Sequence, residues 1–163
     1  MGFINSSLLV KVALGACIAS FLFHLISFTT PYWFEQGGSN SGLFRSCPSG
    51  VCVDIPEASK SDKLKATIAM ELLAFLVGVA CLVLMICHLL VESLATKLIM
   101  IICMILAFVT AFLILLGVIV FAAANNQSVV TIDYGWSFAL EIIAAIMYIA
   151  TGAVFVVDIV TGS

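Results

Sequence analysis

From Leu98 to Ile132 the chain carries no formally charged residue, and that stretch alone excludes most folds open to a water-soluble protein. A helix crossing the ~30 Å hydrocarbon core of a bilayer needs about 20 mostly apolar residues at ~1.5 Å rise each. Three more stretches reach that length. Lys11 to Glu35 encloses no formal charge, and neither does Glu71 to Glu92. The stretch from Trp136 to Val157 holds one acid, Glu141. The expected spans are 8–28, 64–90, 98–124 and 136–157.

Composition agrees. Only 9% of the residues are charged and 64% are hydrophobic, against roughly 25% charged in a soluble domain. The first apolar run is too long for a signal-peptide core and ends in Thr29-Thr30-Pro31, not in a small-residue cleavage site, so it is read as a span. The whole chain, 1–163, is then one membrane domain, and loop 31–63 is the one connection long enough to fold.

Even-numbered spans put both termini on one side. Lys11 and Lys97 lie on the terminal side, against Arg45, Lys60, Lys63 and Lys65 in or beside the first loop, so a literal positive-inside count would make that loop cytoplasmic. The cysteines argue the other way. Cys47 and Cys52 flank Pro-Ser-Gly, which is turn chemistry, and 43–46 and 51–53 read as strands on either side. Two cysteines across a tight turn lie within bridging reach, and a bridge persists in an oxidising compartment. The expected placement is therefore the plasma membrane, with cytoplasmic termini and an extracellular first loop. Cys17, Cys81, Cys87 and Cys103 fall inside the spans and read as small apolar fillers, Cys87 being alternatively a palmitoylation site.

Small and polar residues recur three and four apart along each span. The seams are Ala13, Cys17, Ser20, His24, Ser27; Glu71, Ala74, Gly78, Cys81, Met85, His88; Cys103, Ala107, Thr110, Ile114, Gly117, Phe121; and Glu141, Ala144, Tyr148, Thr151, Phe155, Asp158. Such spacing predicts an all-α transmembrane, left-handed four-helix bundle. His24, Glu71 and Glu141 fall at similar depth near the outer ends and are expected to form an intramembrane polar cluster. An unpaired acid at the bilayer centre costs about 3 kcal/mol, so the two acids read as a structural pairing, with proton or ion carriage the other role open to them.

Trp33 after the first span, then Gly42-Leu43-Phe44, then Cys47 and Cys52, resembles the signature of the claudin superfamily: Trp, Gly-Leu-Trp, Cys, Cys. That superfamily takes in claudins, peripheral-myelin and epithelial-membrane proteins, a lens-fibre membrane protein and the gamma subunits of calcium channels and AMPA receptors. Lys65-Ala66-Thr67 and Tyr134-Gly135-Trp136-Ser137-Phe138 extend the likeness over the whole chain. Phe44 stands where the family has a second Trp, the cysteine spacing is closer to the lens-type members, and the chain ends Thr161-Gly162-Ser163 without a Tyr-Val terminus. These departures count against a sealing or ion-selective paracellular role. The resemblance implies a small disulfide-linked extracellular β-sheet in the first loop. Trp33 then either shapes that fold or is an ordinary interfacial anchor.

Neither a phosphate loop, a zinc spacing, a nucleophile elbow nor a basic nucleic-acid patch occurs. No catalytic residue, metal, cofactor or nucleic-acid partner is expected, and a quinone-linked thiol oxidase would need a Cys-x-x-Cys pair and a relay pair. The expected function is that of a non-enzymatic, claudin-like protein of cell–cell contacts or junctions, acting through its first loop. Its partners are the lipid bilayer and itself or related four-span proteins, in cis or trans. The alternative is a gamma-type auxiliary subunit of an ion channel. Phe44, Arg45, Val53 and Ile55 are the partner-binding candidates, with Phe44 open to the second reading that it lies against helix ends. Asn126-Gln127-Ser128 is a glycosylation sequon close to the membrane, and Met1-Gly2 with Ser6 matches the loose myristoylation pattern by chance.

Overall fold

The computed structural model describes residues 7–91, 96–125 and 133–161. Four helices carry the chain: α1 (Leu8–Thr29), α2 (Asp62–Leu90), α3 (Lys97–Asn125) and α4 (Trp136–Thr161). All four are long and apolar enough to cross a membrane. Their starts and stops are local chemistry. The Ser7 hydroxyl caps α1 by accepting from the Val10 N–H at 3.2 Å, and Ser61 caps α2 by accepting from the Leu64 N–H at 3.2 Å, with Asp62 in the first turn. Pro31 disfavours helical backbone at the residue before it, and Thr30 is extended (φ −90°, ψ 148°). α4 runs four residues past the expected end, to Thr161, because Asp158 has a partner inside the bundle: Ser7 Oγ donates to its Oδ1 at 2.6 Å.

α2 packs on α3, α1 on α4 and α3 on α4 extensively, whereas α1 and α2 touch much less. The seams face inward. Ala13, Cys17, Ser20, His24 and Ser27 of α1 are buried, as are all six expected positions of α3 and of α4. On α2, Leu89 takes the interior place expected of His88, which is only half-buried. Eighteen residues are five full turns at 3.6 per turn, so Leu89 returns to the face of Glu71 and His88 falls short of it. The outward faces stay apolar, with Leu22, Leu76, Phe112, Ile119 and Ile146 exposed. A water-soluble bundle would present charge there.

Above one end of the bundle lies a five-stranded antiparallel sheet: β1 (Phe34–Gln36), β2 (Ser39–Ser41), β3 (Arg45–Cys47), β4 (Val53–Asp54) and β5 (Asp133–Tyr134), in spatial order β4-β3-β2-β1-β5. β1 and β2 are joined by Gly37-Gly38, with φ of 55° and 80°, the positive values a two-residue hairpin loop of the primed kind requires. Two features differ from expectation. The strands around Pro48-Ser49-Gly50 sit at 45–47 and 53–54 instead of 43–46 and 51–53, because residues 42–45 turn and send Leu43 inward, with the Gly42 N–H donating to the Arg45 carbonyl at 2.9 Å. The sheet also does not belong to the first loop alone, since β5 comes from the connection between α3 and α4.

Sheet and bundle share a second core. Trp33 and Leu43 are fully buried and meet Phe28 and Phe121, with Phe34, Phe44, Leu64, Ile68 and Phe138 around them. The Trp33 indole N–H donates to the Ser27 carbonyl at 2.9 Å, satisfying one of the orphan acceptors at the end of α1. Residues 32–33 do the same for α4: the Ser137 N–H donates to the Tyr32 carbonyl at 3.2 Å and the Gly135 N–H to the Trp33 carbonyl at 3.0 Å.

Candidate functional site

Directly beneath that aromatic layer, three helices bring His24, Glu71 and Glu141 together, each fully buried. His24 lies five residues before the end of α1 and Glu141 five after the start of α4, whereas Glu71 lies nine into α2. At ~1.5 Å per residue, α2 must start about one turn beyond α4 to bring its acid level with the other two. His24 Nδ1 is 2.5 Å from Glu141 Oε1 and 3.8 Å from Glu71 Oε2. One ligand atom from each residue lies within 4.8 Å of those from the other two.

The surroundings make room for this group and give it little else. The Phe28 ring stacks on the imidazole, centroids 5.8 Å apart. Gly117 of α3 faces Glu71, and a Cβ there would sit 2.8 Å from the Glu71 carboxyl carbon. The neighbouring hydroxyls turn back onto their own helices: Ser20 donates to the Ala16 carbonyl, Thr67 to Lys63, Thr110 to Leu106 and Thr151 to Met147. His24 Nε2, both oxygens of Glu71 and Glu141 Oε2 have no hydrogen-bond partner among the described residues. Buried polar atoms are normally satisfied, so the cluster has spare donor and acceptor capacity.

Trp33, Gly42, Leu43 and the cysteine pair lie at the junction of sheet and bundle or within the sheet. Trp33 and Leu43 fill the core above the cluster. Gly42 lies against the α1 exit so closely that a Cβ would come within 2.5 Å of the Thr30 carbonyl oxygen and 2.7 Å of Pro31 Cα. The sulfurs of Cys47 and Cys52 are 2.03 Å apart, a bonding distance.

The partner-binding candidates divide. Arg45 and Val53 are both exposed but point to opposite faces of the β3–β4 pair, since Arg45 is opposite Asp54 and Val53 opposite Ser46, and Arg45 Nε donates to Asp54 Oδ1 at 2.9 Å. Phe44 is half-buried, edge-on to Phe28 at 5.0 Å and covered by the Lys60 ammonium at 5.7 Å. It therefore lies against the helix end and does not project from the tip. Ile55 is also half-buried and lines a 330 Å³ cleft between the sheet and the ends of α2 and α3. Exposed apolar surface at the tip comes instead from Val51, 66% exposed, and Val53, 52%. Lys60 also pairs with Glu57, and that hydrogen bond and charge hold the Glu57 carboxyl below the usual range.

Cys87 is half-buried near the far end of α2. Asn126, Gly2, Ser6 and the terminal Gly162-Ser163 lie outside the described residues. Sequence reasoning missed the Gly37-Gly38 hairpin, whose two adjacent glycines were the available signal. It also missed β5, which had none beyond a tyrosine beside Gly135. No protein-family model matches the chain, and no curated protein matches it significantly.

Proposed function

We propose that this chain is a four-span plasma-membrane protein that mediates contacts between cells through its sheet, without catalytic turnover. In this reading the termini are cytoplasmic, the sheet is extracellular, the helices cross in a left-handed bundle, and Cys47 and Cys52 form a disulfide that holds β3 to β4. The claudin-like positions Trp33, Gly42 and Leu43 support the assignment by having a physical task at the junction of sheet and bundle.

One observation carries the proposal. β4 is the outer strand of the sheet, Val53 within it and Val51 just before it are exposed, and the Arg45–Asp54 pair flanks the same edge from the other face. An edge strand offers unpaired backbone groups to another chain. Apolar side chains rimmed by charge are what a lateral or opposing partner would cover. The other edge continues through β5 into α4 and is held by the Tyr32 and Trp33 carbonyls.

The test is expression in cells that lack junctions, comparing wild type with a Val51→Asp, Val53→Asp double variant at matched surface levels. Enrichment where two expressing cells touch, lost in the variant, supports the proposal. Uniform surface distribution, together with altered currents from a co-expressed channel, would replace it with the auxiliary-subunit reading.

A further inference from the structure

We propose that His24, Glu71 and Glu141 hold a single divalent cation of the zinc class, which ties α1 to α2 and α4. The donors come from three helices at separations of 47 and 70 residues, so no local metal motif appears in the sequence. The geometry is close to what such an ion needs. Ligands at ~2.0–2.2 Å from a tetrahedral zinc lie about 3.3–3.6 Å from one another, and the gap between His24 Nδ1 and Glu71 Oε2 is 3.8 Å. Glu141 can ligate through its unpartnered Oε2, or through Oε1 after a shift of less than about 1 Å from the imidazole.

Charge balance points the same way. As ligands, two carboxylates and a neutral imidazole would bring two negative charges into a fully buried site, and one divalent ion would cancel them. Both Glu71 oxygens are unpartnered among the described residues and fully buried: Oε2 faces the imidazole at 3.8 Å, and Oε1 lies against Gly117, whose missing side chain leaves room for the carboxylate. The donor set selects among ions. An imidazole with two carboxylates suits zinc, manganese, iron(II) or cobalt(II), whereas calcium and magnesium prefer oxygen-only shells and copper(I) prefers sulfur. The site also bridges α1 and α2, which pack on each other less extensively than do α2 on α3, α1 on α4 or α3 on α4. The inference is independent of any role for the sheet.

The experiment uses the full chain in mild detergent. Metal content is measured as purified; a second sample is chelator-treated and titrated with Zn²⁺, and Co²⁺ loading is followed by visible absorption. One zinc per chain, a cobalt spectrum typical of nitrogen and oxygen ligands, and a higher unfolding midpoint with Zn²⁺ are expected. Glu71→Gln and His24→Gln should each weaken binding by ~100-fold or more, while His88→Gln leaves it unchanged. Absence of both co-purified and saturable zinc in the wild-type chain overturns the proposal, as does binding that survives both ligand variants. The wild-type measurements need no variant, so misfolding of a substituted chain leaves the test intact.

Discussion

The two ends of the bundle handle polarity differently. At the end away from the sheet, Ser7 and Asp158 form one matched pair at the helix termini, and the interior between them and the middle sets the small Ala13, Cys17, Cys81, Ala107 and Gly152 around the larger Met85, Leu89 and Phe155. The Tyr148 hydroxyl near mid-bundle is the lone buried, unpartnered side-chain oxygen outside the cluster among the described residues. At the sheet end, two acids and an imidazole share one buried space with more polar atoms than partners, sealed by Trp33, Phe28 and Phe121. The first end is what lipid surroundings would favour: with little hydrophobic drive between helices, small side chains let backbones approach and dispersion holds them. The second end buries two acids and an imidazole that such packing does not require. Packing alone accounts for one half of the bundle, and the other half has capacity for binding.

The largest expected effect is at the seal. Trp33→Ala should cost about 3–5 kcal/mol, measured by denaturant unfolding in detergent, because it empties a fully buried site and removes the shortest of the hydrogen bonds to the Ser27 carbonyl. The comparison breaks if an equally buried position in the other half, such as Phe155→Ala, proves far more costly. Next is Gly117→Ala, which pushes a methyl onto the Glu71 carboxylate. Overpacking typically costs ~1–3 kcal/mol, and here it should also displace the acid from His24. The difference should show as a changed imidazole resonance, where Gly15→Ala, which meets nothing within 4 Å, leaves that signal alone. Ser7→Ala should cost about 1 kcal/mol by removing the α1 cap and the Asp158 contact, with no change at His24.

How much of this was legible depended on whether a residue's environment follows from its neighbours in sequence. The four long apolar helices were, because the chain offers long charge-free runs of the length a bilayer crossing needs. The seams were nearly so, failing at His88 where simple helical drift favours Leu89. The depth of the polar cluster was harder to read, since Glu71 reaches it only because α2 starts at Asp62. The sheet was read least well. Register depends on which residues turn, and Leu43 leaves the strand because the core beneath it accepts an apolar side chain. Phe44 followed it for the same reason, an outcome no local pattern encodes. β5 is two residues long and exists only because β1 offers it an edge.

The smallest effect belongs to the exposed sheet end. Glu57 titrates below its ordinary 4.5 because Lys60 favours the carboxylate. A depressed folded-state value stabilises the folded chain above the unfolded value, and that contribution is lost as pH falls through the folded one. Lys60→Met should return the Glu57 midpoint toward 4.5 by NMR titration, with little change in stability because the Glu57 carboxyl is exposed and methionine keeps an apolar stem against Phe44.

The most direct test of the account is a mixed culture of expressing and non-expressing cells, with the protein imaged at each kind of border. A contact protein that pairs through the free β4 edge should concentrate where two expressing cells meet and stay at the free-surface level where an expressing cell meets a silent one. Equal intensity at both borders and on free membrane would contradict the assignment of the sheet as a self-recognising contact surface.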